Sequence, residues 1–223
     1  MLWVGAVLFA GDYGLIYWGE QWLDSGLTAV IFAVLPVMTT LAAHFYLETE
    51  RLTAQTLAGT AAAFGGVVAL FADRLVADTS QVWPMIAILA SAACAAAASL
   101  ATKRHGGGLH PAALNAPAML AGAAILLVVS RAAGETLRLP ADPATWGAVL
   151  YLAIAGSVVT FLTYFWLLKT WRATTMSFIA VLTPLIAVLL GAVVRGERPT
   201  PWTGLGGVLI LGGVTLAMLD RRA

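Results

Sequence analysis

Charge is what this sequence has least of. Asp, Glu, Lys and Arg make up 10% of its 223 residues, where a water-soluble domain carries roughly 25%. So little polar side chain cannot cover a globule in water, and the solvent that suits the chain is lipid. The near balance of 12 basic and 11 acidic residues offers no positive field for a nucleic acid, so no nucleic-acid partner is expected. Cysteine is almost missing: Cys94 stands alone inside an apolar run, which excludes a disulfide framework and metal-ligand spacing. There is no Walker sequence and no H-E-x-x-H, and Gly156-Ser157 is isolated, with no histidine at matching depth. Neither a cofactor nor a metal is expected, and the chain does not read as an enzyme. Its start, MLWVGAVLFAGDYGLIYW, lacks a positive leading region and an A-x-A site, so it reads as a spanning helix rather than a signal peptide.

What is present is apolar length. Crossing about 30 Å of hydrocarbon takes about 20 residues at 1.5 Å each, and eight stretches reach it: approximately 2–19, 28–47, 53–72, 82–102, 112–131, 145–168, 175–195 and 202–219. Lipid offers no partner to open backbone groups, so each is predicted to be a helix. Strict alternation over ~10 residues, the mark of a membrane barrel, is missing. The fold class expected is all-α, a polytopic transmembrane bundle of about eight spans. With the first residue in the cytoplasm, Arg51, Lys103, Arg104, Lys169, Arg172, Arg221 and Arg222 lie inside against Arg74, Arg131, Arg138, Arg195 and Arg198 outside. That bias favours a cytoplasmic C-terminus.

The sequence also says one thing twice. An offset of 147 pairs Glu50 with Glu197, Arg51 with Arg198, Thr53 with Thr200, Gly59 with Gly206 and Gly65-Gly66 with Gly212-Gly213; upstream an offset of 148 pairs Trp18 with Trp166, Ile31 with Ile179 and Pro36 with Pro184. The copies are five helices apart, and an odd offset turns the second over in the membrane, the plan of many secondary carriers. The expected organisation is three helices plus five, with units at 1–73 and 81–220. Thr53 and Thr200, the latter followed by Pro201, are expected to cap the next helix, with Glu50 and Glu197 near its positive end. Gly59, Gly65, Gly66, Gly204, Gly206, Gly207, Gly212 and Gly213 are expected to let helices approach closely.

A helix with an internal proline, then E-R-x-T, then a glycine-spaced helix ending in G-G-V, all repeated, resembles the EamA-type carriers of the drug/metabolite transporter superfamily. Residues 17–53 look like the end of that family's first repeat and 81–219 like a complete second one. The resemblance implies inverted five-helix units moving small metabolites, amino acids or drugs across the cell (inner) membrane, often outward. The sequence departs from the pattern at its beginning, where the family's first two helices have no counterpart. The readings are a fragment or misassigned start, or an eight-helix variant.

Depth singles out the residues that could serve such a path. Asp12 is the only acidic residue well inside a span, about 15 Å from its start. It reads either as a protonatable group in the pathway, able to couple flux to protons, or as a carboxylic acid hydrogen-bonded to a neighbouring helix; its repeat counterpart is Thr160. Pro36 and Pro184 each free a carbonyl in mid-membrane, with Thr39 and Thr183 close by, which fits a substrate site as well as a packing kink. Trp18 and Trp166, with Tyr17, Tyr164 and Thr163, form either an interfacial belt or a stacking wall for a ligand. His44, near the end of its span, reads as a hydrated helix-end residue or as a proton relay, and Asn115 as an amide bonded to a neighbouring helix or to substrate. The function expected is a secondary transporter, an exporter working by alternating access. Its expected partners are lipid and a small-molecule substrate, with protons as a candidate coupling ion and a second copy as a candidate homodimer partner. The alternative is a truncated or non-transporting membrane bundle without a sealed pathway.

Overall fold

The computed structural model describes residues 2–47, 49–72, 79–106, 108–136, 140–195 and 200–220. Glu197 and Arg198, like Asp73, Arg74, Asp78, Arg138, Arg221 and Arg222, lie outside the described residues.

Eight helical rods appear in order where the apolar runs predict them: α1 (2–19), α2 (Ser25–Tyr46), α3 (Ala54–Leu70), α4 (Val82–His105), α5 (Pro111–Ala132), α6 (Pro143–Thr170), α7 (173–195) and α8 (Pro201–Met218). No strand occurs among the described residues. Six of the rods, α2 and α4 to α8, are long and apolar enough to cross a membrane, and α3 is a shorter apolar helix. Their outward faces carry exposed Leu, Ile, Val, Trp and Tyr, including Trp83, Leu120, Tyr151 and Val208, the surface that lipid solvates.

Helix starts follow local chemistry. Thr53 accepts the Thr56 amide at 3.1 Å, and Thr200 shares a reciprocal cap with Thr203, as the sequence predicts. Asp142, just ahead of α6, accepts from the Ala144 amide, then from the hydroxyl and amide of Thr145. Those donors favour the carboxylate, so its pKa lies below the usual value. The cap therefore contributes above the ordinary carboxylate pKa and is lost as pH falls through the lowered one.

The helices meet where side chains are small. α3 and α8 cross antiparallel, with Gly59 against Gly213 and Gly66 against Gly206. A Cβ on Gly213 would lie 2.5 Å from the Gly59 carbonyl oxygen, and one on Gly206 would lie 2.7 Å from that of Gly66, closer than carbon and oxygen can approach. Gly59 thus rests on the repeat counterpart of Gly66, and Gly66 on the repeat counterpart of Gly59. Gly65, Gly204 and Gly212 have open space where a Cβ would go, so they do not serve the contact predicted for them. They lie on faces of α3 and α8 turned away from that seam.

The two equivalent prolines act differently. α2 breaks at Ala33–Val34 and resumes with Leu35 and Pro36 in its first turn, where a missing N–H costs nothing. Pro184 lies inside α7, whose own break comes earlier, at Phe178. α1 and α6 share another irregularity: Gly5–Asp12 and Leu152–Val159 are π-helical. In that register Ser157 Oγ donates to the Leu152 carbonyl at 3.1 Å and Thr160 Oγ1 to Ala155 at 2.7 Å, five residues back. In the α stretches Thr60, Ser99 and Thr183 reach back four.

At one end of the bundle the polar ends are stitched together. Lys103 Nζ donates to the carbonyls of Leu168 at 2.9 Å and Trp171 at 2.7 Å, at the end of α6. Arg104 donates to the Tyr46 carbonyl at 3.0 Å and lies over the Tyr46 ring. Asp220 accepts from Thr53 and Thr56, tying the end of α8 to the start of α3. Glu50 is 3% exposed; its carboxylate accepts from the Ala173 amide at 2.6 Å, the Thr174 amide at 3.1 Å and the Thr174 hydroxyl at 2.8 Å. Arg172 Nε approaches it to 3.9 Å, an ion pair without a hydrogen bond. Glu50 therefore caps α7, a partner that the local pattern does not name. Glu50→Gln is expected to lower stability by about 2 kcal/mol, since a neutral amide matches these donors less well at a helix N-terminus; thermal unfolding in detergent measures it.

Candidate functional site

A cavity of about 680 Å³ lies among α1, α2, α4, α6 and α7, inside the 300–1,000 Å³ range of small-molecule sites. Exposed Glu20 and Ser25 stand at one end. At the other, Leu8, Ala95 and Met176 join the buried cluster of Ala43, Leu47, Phe165, Leu168 and Ala173, which separates it from the stitched end at Glu50 and Lys103.

Two walls face each other across it with repeat counterparts. Asp12, Tyr13 and Ile16 of α1 and their counterparts Thr160, Phe161 and Tyr164 of α6 all line it. So do Thr28, Ala29, Phe32 and Leu35 of α2 and their counterparts Met176, Ser177, Ala180 and Thr183 of α7. The π-helical stretches end beside this cavity, one at Asp12 and the other at Val159. Such widened turns recur at functional sites.

Asp12 is 5% exposed and its Oδ1 accepts from Ser91 Oγ of α4 at 2.6 Å. Both readings of its chemistry thus have a basis, a neighbouring-helix hydrogen bond and a place on the cavity wall. Tyr164 shares a 2.6 Å hydrogen bond with Ser99, also on α4. Thr28 and Thr39 are 5% and 1% exposed, line the cavity, and have no hydrogen-bond partner for their hydroxyls among the described residues. Rings of Tyr13 and Phe161 lie 6.3 Å apart, and Phe161 meets Phe9 edge to face at 4.7 Å. Among the described residues, no Lys, Arg or His lines the cavity.

Of the residues singled out from sequence, Asp12, Thr39, Thr163, Tyr164, Thr183 and Pro184 line this space. Tyr17, Trp18 and Trp166 do not; they are 60%, 45% and 59% exposed, on the bundle's outer surface where belt aromatics sit. Pro36 is buried in helix packing away from the lining. His44 is exposed and accepts from the Leu52 amide at 3.3 Å. Asn115 is buried, and its Oδ1 lacks the neighbour bond expected of it among the described residues. Sequence reasoning missed Tyr13, Phe161, Thr28, Ser91 and Ser99. The 148-residue offset that pairs Asp12 with Thr160 also pairs Tyr13 with Phe161, so that signal was available. Ser91 and Ser99 are polar breaks two turns apart in an alanine-rich helix, a pattern that marks an inward face.

Apolar helices gathered round a partly polar cavity are the build of a multi-pass membrane transporter. A sequence model of the EamA-like transporter family matches residues 82–219, and the chain belongs to that family. Among similar proteins, an uncharacterized transporter YoaV of Bacillus subtilis is 26% identical over 92% of this chain and 70% of its own length. An uncharacterized inner membrane transporter YedA of Escherichia coli is 28% identical over 98% of this chain and 70% of its own. A probable terminal-alkyne amino-acid exporter of Streptantibioticus cattleyicolor is 27% identical over 98% and 71%. One solved crystal structure superposes with a TM-score of 0.85, covering 97% of this chain and 77% of its own at 22% identity; it shares the fold.

Proposed function

We propose that this chain is a secondary transporter that exports small organic molecules by alternating access between two inverted copies of one unit. The observation that carries the reading is the cavity lined by counterpart residues of α1 and α6 and of α2 and α7. The reciprocal glycine contacts of α3 and α8 support it too, because a two-fold relation makes residue i touch j′ and residue j touch i′. Similarity to a relative named as an exporter supports the outward direction. The stitched end is the closed cytoplasmic gate, so the cavity faces the other side. Asp12 is the group through which protons drive the cycle, and the substrate passes between Thr39, Thr163, Tyr164, Thr183 and Pro184.

The test has two parts. Single cysteines replacing Arg51 and Arg198, in a Cys94→Ala background, are expected to react with membrane-impermeant maleimide from opposite sides of the bilayer. Labelling from the same side refutes the inverted copies. Reconstituted vesicles are then expected to exchange a preloaded substrate against label, and a chain that leaves every member of an amine, amino-acid and drug panel behind is not a carrier of this kind.

A further inference from the structure

The lining of the cavity is one-sided in charge. It carries the carboxylates of Asp12 and Glu20 and, among the described residues, no Lys, Arg or His. A buried carboxylate needs a compensating partner, and the one hydrogen bond that Asp12's carboxylate makes among the described residues comes from a neutral hydroxyl, Ser91. An anionic solute would bring a second negative charge beside it with nothing to balance either. A zwitterion would leave its own carboxylate equally unmatched.

The rest of the wall points the same way. Tyr13, Phe32, Phe161 and Tyr164 all line the space, and aromatic faces attract a desolvated cation through their quadrupole. Thr28 and Thr39 hold out buried hydroxyls with no partner among the described residues, so polar groups on a ligand have neutral bonds to make. Glu20, exposed at the open end, raises the local concentration of positive solutes.

We infer that the cavity binds an organic cation, an amine or quaternary ammonium or phosphonium joined to an apolar, preferably aromatic, body, with Asp12 as its counter-charge and Tyr13 and Phe161 as its aromatic contacts. The inference rests on reading this cavity as the substrate site of the transporter.

The full chain in nanodiscs is titrated with radiolabelled tetraphenylphosphonium and, separately, with tetraphenylborate, which has nearly the same shape and the opposite charge; empty discs give the background. Saturable binding of the cation, about tenfold or more tighter than the anion, is the expected result, with Asp12→Asn weakening it about tenfold and Asp12→Glu retaining it. Equal affinity for the two ions, or a cation affinity untouched by Asp12→Asn, overturns the proposal. Should Asp12→Asn fail to insert, Phe161→Leu keeps the apolar bulk while removing the ring face, and is expected to weaken the cation about fivefold and leave tetraphenylborate unchanged. An equal loss for both ions, or no loss, overturns the aromatic contact. Counterflow in vesicles separates this from the transport reading: a cation bound at Asp12 and never carried refutes transport but upholds the site. A neutral or anionic solute carried by a chain that ignores the cation upholds transport and refutes the site.

Discussion

Asp12→Asn is expected to abolish proton-dependent flux, lowering it by about 100-fold or more, the equivalent of ~2.7 kcal/mol. Asparagine has nearly the same shape and can still accept from Ser91, whose hydroxyl reaches Asp12 at 2.6 Å. What it cannot do is take up and release a proton. The packing around α1 should therefore survive while the coupling is lost, and vesicles clamped at a series of internal and external pH values measure the difference. A flux whose pH dependence is the same in both proteins would remove Asp12 from the mechanism. Ser91→Ala leaves the carboxylate in place without its hydrogen bond and is expected to shift the pH profile without erasing it.

Gly66→Leu and Gly213→Leu are expected to be the most damaging changes outside the cavity. A Cβ at either position would lie within 2.7 Å of backbone on the opposing helix, and α3 and α8 would have to separate along the whole crossing. Overpacking of this kind costs about 3 kcal/mol or more. Low yield and loss of a monodisperse peak in detergent are expected. Gly65→Ala and Gly212→Ala are the internal controls: open space lies where their Cβ atoms would go, and their stability should move by about 0.5 kcal/mol or less. If all four variants behave alike, the crossing does not hold the two helices together.

The rods were legible because lipid leaves a twenty-residue apolar run no other conformation. The caps at Thr53 and Thr200 were legible because a cap is settled within four residues. Glu50 was not: its partners, Ala173 and Thr174, lie on a helix 123 and 124 residues away, and no local pattern announces such a pairing. The prolines misled for a related reason. Pro36 and Pro184 are counterparts in sequence, yet one opens a helical segment and the other lies within a continuous one, because neighbouring helices decide where each rod bends. Trp18 and Trp166 show the limit of composition: whether an aromatic ring faces ligand or lipid depends on helix rotation, and these point outward. Tyr13 and Phe161, with the same chemistry and a better position, went unread.

The widened turns at Gly5–Asp12 and Leu152–Val159 carry a mechanical implication. Each holds slack within an unbroken rod, and for every residue of it rewound to the ordinary register the remainder of the helix would swivel by about 100° around its axis. Because both walls of the pocket possess this slack, Asp12 and Thr160 could trade their places on the lumen for new ones without a helix having to snap or slide through the membrane.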